Sequence, residues 1–242
     1  MQSIVTHFLW LLVLACPAIA DEAVKNRPII LLLLGPPGSG RDALAVKISS
    51  SFALPYISTA DLLLDYSDEE SEIGRYTRKC LNTGDIPDDL LLKLISERIK
   101  RTDCRKGFLL DGFPKTEAQA MALKVRFNQE YTLVPAYIRT SDAWLRTCHE
   151  GRLVCTNCGR VYHQDRSPPQ SEGECDLCGY ELTQRSDDCP EMLKKRTETF
   201  RDNIKPLLTY YSVEKTLVEI DGDRSFEEMF QDVKMLINSK RL

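Results

Sequence analysis

The chain has 242 residues, with 32 Lys and Arg against 36 Asp and Glu and a formal net charge of −4. Hydrophobic residues make up 43% of it, which suits one globular domain with a modest insertion. No basic run accompanies that acidic balance, so a nucleic-acid-binding surface is not indicated.

Residues 1–27 read as an extension separate from the fold. Residues 4–19 are almost wholly apolar, and Ala18-Ile19-Ala20 before Asp21 has the form of a small-residue cleavage site. The expectation is an exported chain, or a membrane-anchored one if the segment is not cleaved. A start further on, for instance near Val24, would instead leave a cytoplasmic protein.

Five short runs then read as buried strands of a parallel sheet: Ile29–Leu34, 55–58, Gly107–Asp111, 134–139 and 216–221. Helical patterns fill the gaps, with Leu90, Leu94, Ile95 and Ile99 spaced along one face, and a closing helix is expected over 225–238. The alternation predicts a doubly wound α/β layer. Two segments interrupt it. Residues 61–100 are helix-rich and longer than a single crossover needs. Residues 155–182 carry Gly, Pro168-Pro169 and paired Cys, and read as an inserted small subdomain.

The first chemical motif follows the first strand. Gly35-Pro36-Pro37-Gly38-Ser39-Gly40 can turn backbone N–H groups inward ahead of a helix N-terminus, which is a phosphate cradle. Such a loop normally continues with Lys and then Ser or Thr. Here Arg41 keeps the charge in a larger planar fork. Asp42 adds a carboxylate near the phosphates, and Ala43 lacks a hydroxyl for Mg²⁺. The second motif is Gly107 to Lys115, where Asp111 ends an apolar strand at the sheet edge that binds ligands in doubly wound folds. It could hold the water shell of Mg²⁺, or simply cap the next helix.

Nine cysteines would suggest disulfides in a small exported protein. Four of them form two tight pairs, Cys155/Cys158 and Cys175/Cys178, separated by sixteen residues, while Cys16, Cys80, Cys104, Cys148 and Cys189 are scattered. That spacing fits a tetrahedral, structural thiolate zinc site. Two disulfides are the alternative in an oxidising compartment.

The glycine loop, Ser58-Thr59-Ala60-Asp61, Gly107 to Thr116 and Gln184-Arg185-Ser186-Asp187-Asp188 occur in the order and spacing of adenylate kinases. From Ile29 to about Asn238 the chain resembles that family, in the long form whose lid carries four zinc-binding cysteines. The resemblance implies an α/β fold with a doubly wound five-stranded parallel sheet of P-loop kinase type. It also implies an AMP-side helical region at 58–87, a small zinc lid at 152–188, and a core over 28–242. The implied activity is conversion of ATP and AMP to two ADP by a monomer, with Mg²⁺ accompanying ATP and structural Zn²⁺ in the lid.

Residue by residue, the resemblance implies Arg41, Asp111, Arg152, Arg185 and Arg196 at the transferring phosphoryl group. The ATP side would use Gly35, Gly38, Ser39, Gly40, Arg41, Asp42, Ala43, Arg152, Val161, Tyr162 and Arg224. The AMP side would use Thr59, Leu64, Asp85, Ile86, Gly112, Lys115, Gln119, Arg185 and Arg196, with Gln119 reading the adenine edge. Beyond Arg41, Asp42 and Ala43, three further positions depart from the family. Leu64 and Lys115 stand where it has arginines on the AMP phosphate, and Cys148 where an arginine packs on the ATP adenine. One residue is also missing between Gly84 and Ile86. The departures keep open a second class, a non-catalytic nucleotide-binding protein, and a third, a zinc module that binds no nucleotide.

Overall fold

The computed structural model describes residues 27–158, 160–165, 168–184 and 190–241. Apart from Arg27, the expected export or anchor segment lies outside the described residues, among which no helix is long and apolar enough to cross a membrane.

Six successive aliphatic residues make β1 (Ile29–Leu34), every one of them buried. A strand with no polar face must lie inside a sheet covered on both sides, and β1 is central. It is flanked in parallel by β3 (Gly107–Asp111) and β4 (Thr132–Arg139), with β2 (Tyr56–Ser58) and β8 (Val218–Asp221) at the edges. Side chains alternate between two cores. Ile29, Leu31 and Leu33 pack with Leu44, Ile48, Val233 and Ile237, whereas Ile30, Leu32 and Leu34 pack with Leu123, Phe127 and Leu207.

The expected strands are all present, with three shifted starts, of which that of β2 moves by one residue, from 55 to Tyr56. β4 begins at Thr132 because Ile29 pairs with Thr132 and Ile30 with Leu133. β8 begins at Val218 because the N–H groups of Thr216 and Leu217 turn back to the Tyr211 carbonyl, at 3.0 and 3.2 Å.

The helices are α1 (Arg41–Phe52), α2 (Thr59–Ser67), α3 (Glu72–Thr83), α4 (Asp88–Arg98), α5 (Glu117–Phe127), α6 (Asp142–Glu150), α7 (Pro190–Val213) and α8 (Phe226–Arg241). The stretch 61–100 resolves into α2, α3 and α4 because Ser58 and Ser71 cap two of them through their side chains and Pro87 opens the third. The inserted subdomain is a three-stranded antiparallel sheet in the order β6 (Val161–His163), β5 (Arg152–Cys155), β7 (Leu182–Thr183).

Because Ile29 and Ile30 face different cores, Ile29→Val and Ile30→Val should each cost about 0.5–1.5 kcal/mol. The double variant should equal the sum within about 0.5 kcal/mol, as read by urea denaturation. Strong coupling between the two would contradict separate layers.

Candidate active site

The glycine loop grows straight out of β1. Ser39 N–H bonds to the Pro36 carbonyl at 3.1 Å, and the Gly40 carbonyl accepts from Leu44 N–H at 3.0 Å to start α1. Gly38 has φ 83°, and a Cβ there would lie 2.0 Å from His149 Nε2. Backbone and space therefore both require glycine. Ser39 is buried, and its Oγ has no hydrogen-bond partner among the described residues. An orphan hydroxyl beside a helix N-terminus is a group that a bound phosphate can satisfy.

Arg41 opens α1, with its Nε 3.3 Å from Asp111 Oδ1. The same guanidinium reaches the Gly35 carbonyl at 3.5 Å and Asp42 Oδ1 at 3.4 Å. The other Asp111 oxygen, Oδ2, accepts from the Tyr56 hydroxyl at 2.8 Å. Burial, then the adjacent Asp111 carboxylate, push the Tyr56 phenol far above its ordinary value, so it stays a neutral donor. Two expected catalytic residues are thus joined in a partly desolvated ion pair. Asp42 points outward, its side chain 80% exposed, and Ala43 is also exposed.

Beside this pair lies the expected acceptor side. Ser58 pairs with Asp111 in the sheet, so Thr59, the buried first residue of α2, reaches the turn after β3. A Cβ on Gly112 would lie 2.3 Å from Thr59 Oγ1. Gln119 is held at both ends of its amide: Oε1 accepts from Lys115 N–H at 2.6 Å and Nε2 donates to Asp88 Oδ1 at 2.7 Å. Leu64 is 58% exposed, and Lys115 and Asp85 are exposed as well. Ile86 packs with Cys80, Leu90 and Leu94. An open hollow of about 310 Å³ lined by Arg75, Arg78, Lys79, Asn82 and Thr83 lies on α3, and no expected site residue lines it.

The lid residues form their own cluster. Cys155 N–H bonds to the Arg160 carbonyl and Cys175 N–H to the Tyr180 carbonyl, at 2.9 and 2.8 Å, folding each Cys-x2-Cys stretch into a turn. All four sulfurs lie within 4.8 Å of one another, with Cys155–Cys178 at 3.5 Å and Cys158–Cys175 at 3.6 Å. Tetrahedral metal–sulfur bonds of about 2.3 Å place sulfurs roughly 3.8 Å apart, so the cluster is compatible with a zinc ion. The Tyr162 hydroxyl, 3.4 Å from Cys175 Sγ, helps bring that thiol down to about 6. Tyr162, expected beside the ATP base, turns its side chain into the lid core, where its hydroxyl also accepts from Asp176 N–H at 2.9 Å. Val161 is 51% exposed.

Among the remaining expected residues, Arg152 begins β5 opposite His163 and is half-buried. Cys148 is half-buried and Arg146 exposed, so the two sit on different faces of α6. Arg185 and the Asp187-Asp188 pair lie outside the described residues, as does the side chain of Arg196. Arg224 pairs with Asp232 at 2.8 Å and Glu228 at 3.1 Å. Sequence reasoning missed Tyr56, Asp88 and His149. The last was legible as a helical pair with Leu145, four residues earlier, both 1% exposed.

Residues 33–216 match the family model described as adenylate kinase. The chain is 39% identical over 214 residues to an adenylate kinase of Thermoanaerobacter sp. (strain X514), covering 87% of this chain and 98% of that one. It is 37% identical to an adenylate kinase of Caldanaerobacter subterraneus subsp. tengcongensis, covering 87% and 97%. It is 34% identical to one of Archaeoglobus fulgidus, covering 86% and 97%.

The neighbourhood of Arg224 gives a pH prediction. The Ser225 hydroxyl and backbone N–H, then Arg224, hold Glu228 down to about 2 from its ordinary 4.5. A depressed carboxyl contributes stability that is present above its unfolded value and lost as pH falls through the folded one. Ser225→Ala should therefore be less stable than wild type at pH 7. Denaturation curves should show that gap closing between pH 4.5 and 2.

Proposed function

The chain belongs to the adenylate kinase family, and we propose that it transfers a phosphoryl group reversibly from ATP·Mg²⁺ to AMP, giving two ADP. The meeting of Arg41 and Asp111 beside the glycine loop, at the carboxyl edge of the sheet, carries this reading. Phosphoryl transfer is positioning plus charge neutralisation in a closed site. In this reading the N–H groups of Gly38 and Gly40, the Ser39 hydroxyl and the start of α1 hold the donor phosphates. Arg41 neutralises them, and Arg152, Arg185 and Arg196 close over the group in transit. Asp111 Oδ1 faces Arg41 as an ion pair at 3.3 Å without a hydrogen bond, so once the phosphates draw Arg41 away it could accept from a water of the Mg²⁺ shell. The ion supplies charge neutralisation on the phosphates when bound. Thr59, Gly112 and Gln119 receive AMP, the last through an amide already oriented by Lys115 and Asp88. Zinc in the four-cysteine cluster holds the lid together and takes no part in transfer.

Two observations favour a second reading, a nucleotide-binding member of the family with weakened or lost turnover. Arg41 is already engaged by Asp111, Asp42 and the Gly35 carbonyl. Leu64 is exposed, with no cation of its own to offer where the resemblance implies the acceptor phosphate.

A coupled assay with AMP, CMP, UMP and GMP separates the two. ADP should form from ATP and AMP, and Arg41→Ala should lower the rate by at least about 100-fold. ATP binding by calorimetry without product from any acceptor would establish the second reading instead. Leu64→Arg, at an exposed site, should lower KM for AMP about 10-fold by restoring a charge-assisted hydrogen bond; an unchanged KM places the phosphate elsewhere. Metal analysis should find zinc in the purified protein and none in Cys175→Ser. That variant should become open to protease over 152–184 while the main thermal transition persists.

A further inference from the structure

His149 is a buried polar side chain with no role in the reading above. It lies in the last turn of α6, 1% exposed and 112 residues from the glycine loop in sequence. Its ring occupies the space over Gly38, where a Cβ would come within 2.0 Å of Nε2 and 2.6 Å of Cδ2. Nε2 is 3.4 Å from the Pro37 carbonyl oxygen. A carbonyl can only accept, so the ring nitrogen donates.

We propose that His149 is the positioning residue of the glycine loop, fixing the Pro37–Gly38 peptide so that the Gly38 N–H faces the nucleotide phosphates. This rests on the phosphotransferase reading above. The only cis peptide among the described residues is Phe113–Pro114, so Pro37–Gly38 is trans. In a planar trans peptide the carbonyl and the N–H point in opposite directions. Tying the Pro37 oxygen to His149 therefore turns the Gly38 N–H away from α6, on a residue whose φ of 83° already marks a committed conformation. An apolar side chain of similar size would fill the space over Gly38 without setting the direction of that peptide.

The same turn of α6 also carries the root of the lid. His163, on β6, has Nε2 3.1 Å from the Thr147 carbonyl, and its ring lies against Gly151, where a Cβ would meet Cε1 at 2.6 Å. Its Nδ1 accepts from Asp165 N–H at 3.2 Å. Thr147, His149 and Gly151 thus refer the lid strand and the phosphate loop to one short piece of helix, immediately before Arg152.

The test compares His149→Leu, which keeps bulk and loses the donor, with His149→Gln, which places an N–H near the original Nε2. By calorimetry and steady-state kinetics, the Leu variant should weaken ATP binding about 3- to 10-fold and leave KM for AMP within about twofold, with Gln recovering most of the loss. Unchanged ATP affinity in His149→Leu, an equal loss for ATP and AMP, or a Gln variant as weak as Leu would each overturn the proposal. Should His149→Leu fail to fold, long-range ¹H–¹⁵N spectra of the wild type decide: a proton on Nε2 supports the assignment and the Nδ1–H tautomer refutes it. Calorimetry and the spectrum need no turnover, so an inactive wild type would refute the kinase reading and leave this one to be judged separately.

Discussion

Everything at the site depends on the register of β1 against β3. β1 has no exposed face, so its position in the sheet is fixed from both sides by apolar contact. Leu32 pairs with Leu110, three residues before the glycine loop on one strand and one before Asp111 on the other. Ser58 on β2 pairs with Asp111 in turn. Three strand ends therefore deliver the loop, the acid and Thr59 to one edge without any local sequence contact between them. A slip by one residue would reverse the side chains of β1 and exchange its two cores, so the same burial that stabilises the sheet also places the site.

The electrostatics of that edge are self-contained. Arg41 faces Asp111 at 3.3 Å and Asp42 at 3.4 Å, with side-chain exposures of 28%, 16% and 80%. The bond to Asp42 is exposed and worth little. The bond to Asp111 is partly desolvated and has the Tyr56 hydroxyl on its far side. In the proposed reaction the phosphates must compete with Asp111 for Arg41, and a polyphosphate brings more negative charge than one carboxylate. The exchange then frees Asp111 at the position where a hydrated cation would sit, which links donor binding to the handling of Mg²⁺.

The sheet was legible because its strands are apolar runs between glycine and polar turns. Even the larger shifts, at the starts of β4 and β8, have local causes, in the pairing of Ile29 with Thr132 and the return of Thr216 to Tyr211. The cysteine cluster was legible because close pairs constrain space directly. The partners of the site residues were not. Tyr56 pairs with Leu109 in the sheet yet sends its hydroxyl to Asp111. Asp88 lies 31 residues from Gln119, and His149 lies 112 from Pro37. Such contacts come from the packing of whole elements, and no spacing along the chain encodes them. The inward turn of Tyr162 has the same origin, since alternation along a short lid strand does not say which side meets a ligand.

The lid shows why the cysteines belong to the fold as much as to any metal. Its buried cluster comprises Cys155, Tyr162, Cys175 and Leu182, with Leu153 and Cys178 packed against it. Half of those side chains are the thiols themselves. A segment this small buries too little apolar surface to offset the entropy of ordering its backbone, and its strands run only four, three and two residues. A metal bound by four thiolates would supply that missing free energy directly. Tyr162 fits the same arrangement, because its hydroxyl touches Cys175 and accepts from Asp176 while its ring fills the space behind. A lid stabilised from within in this way would need few apolar contacts with the sheet to stay folded.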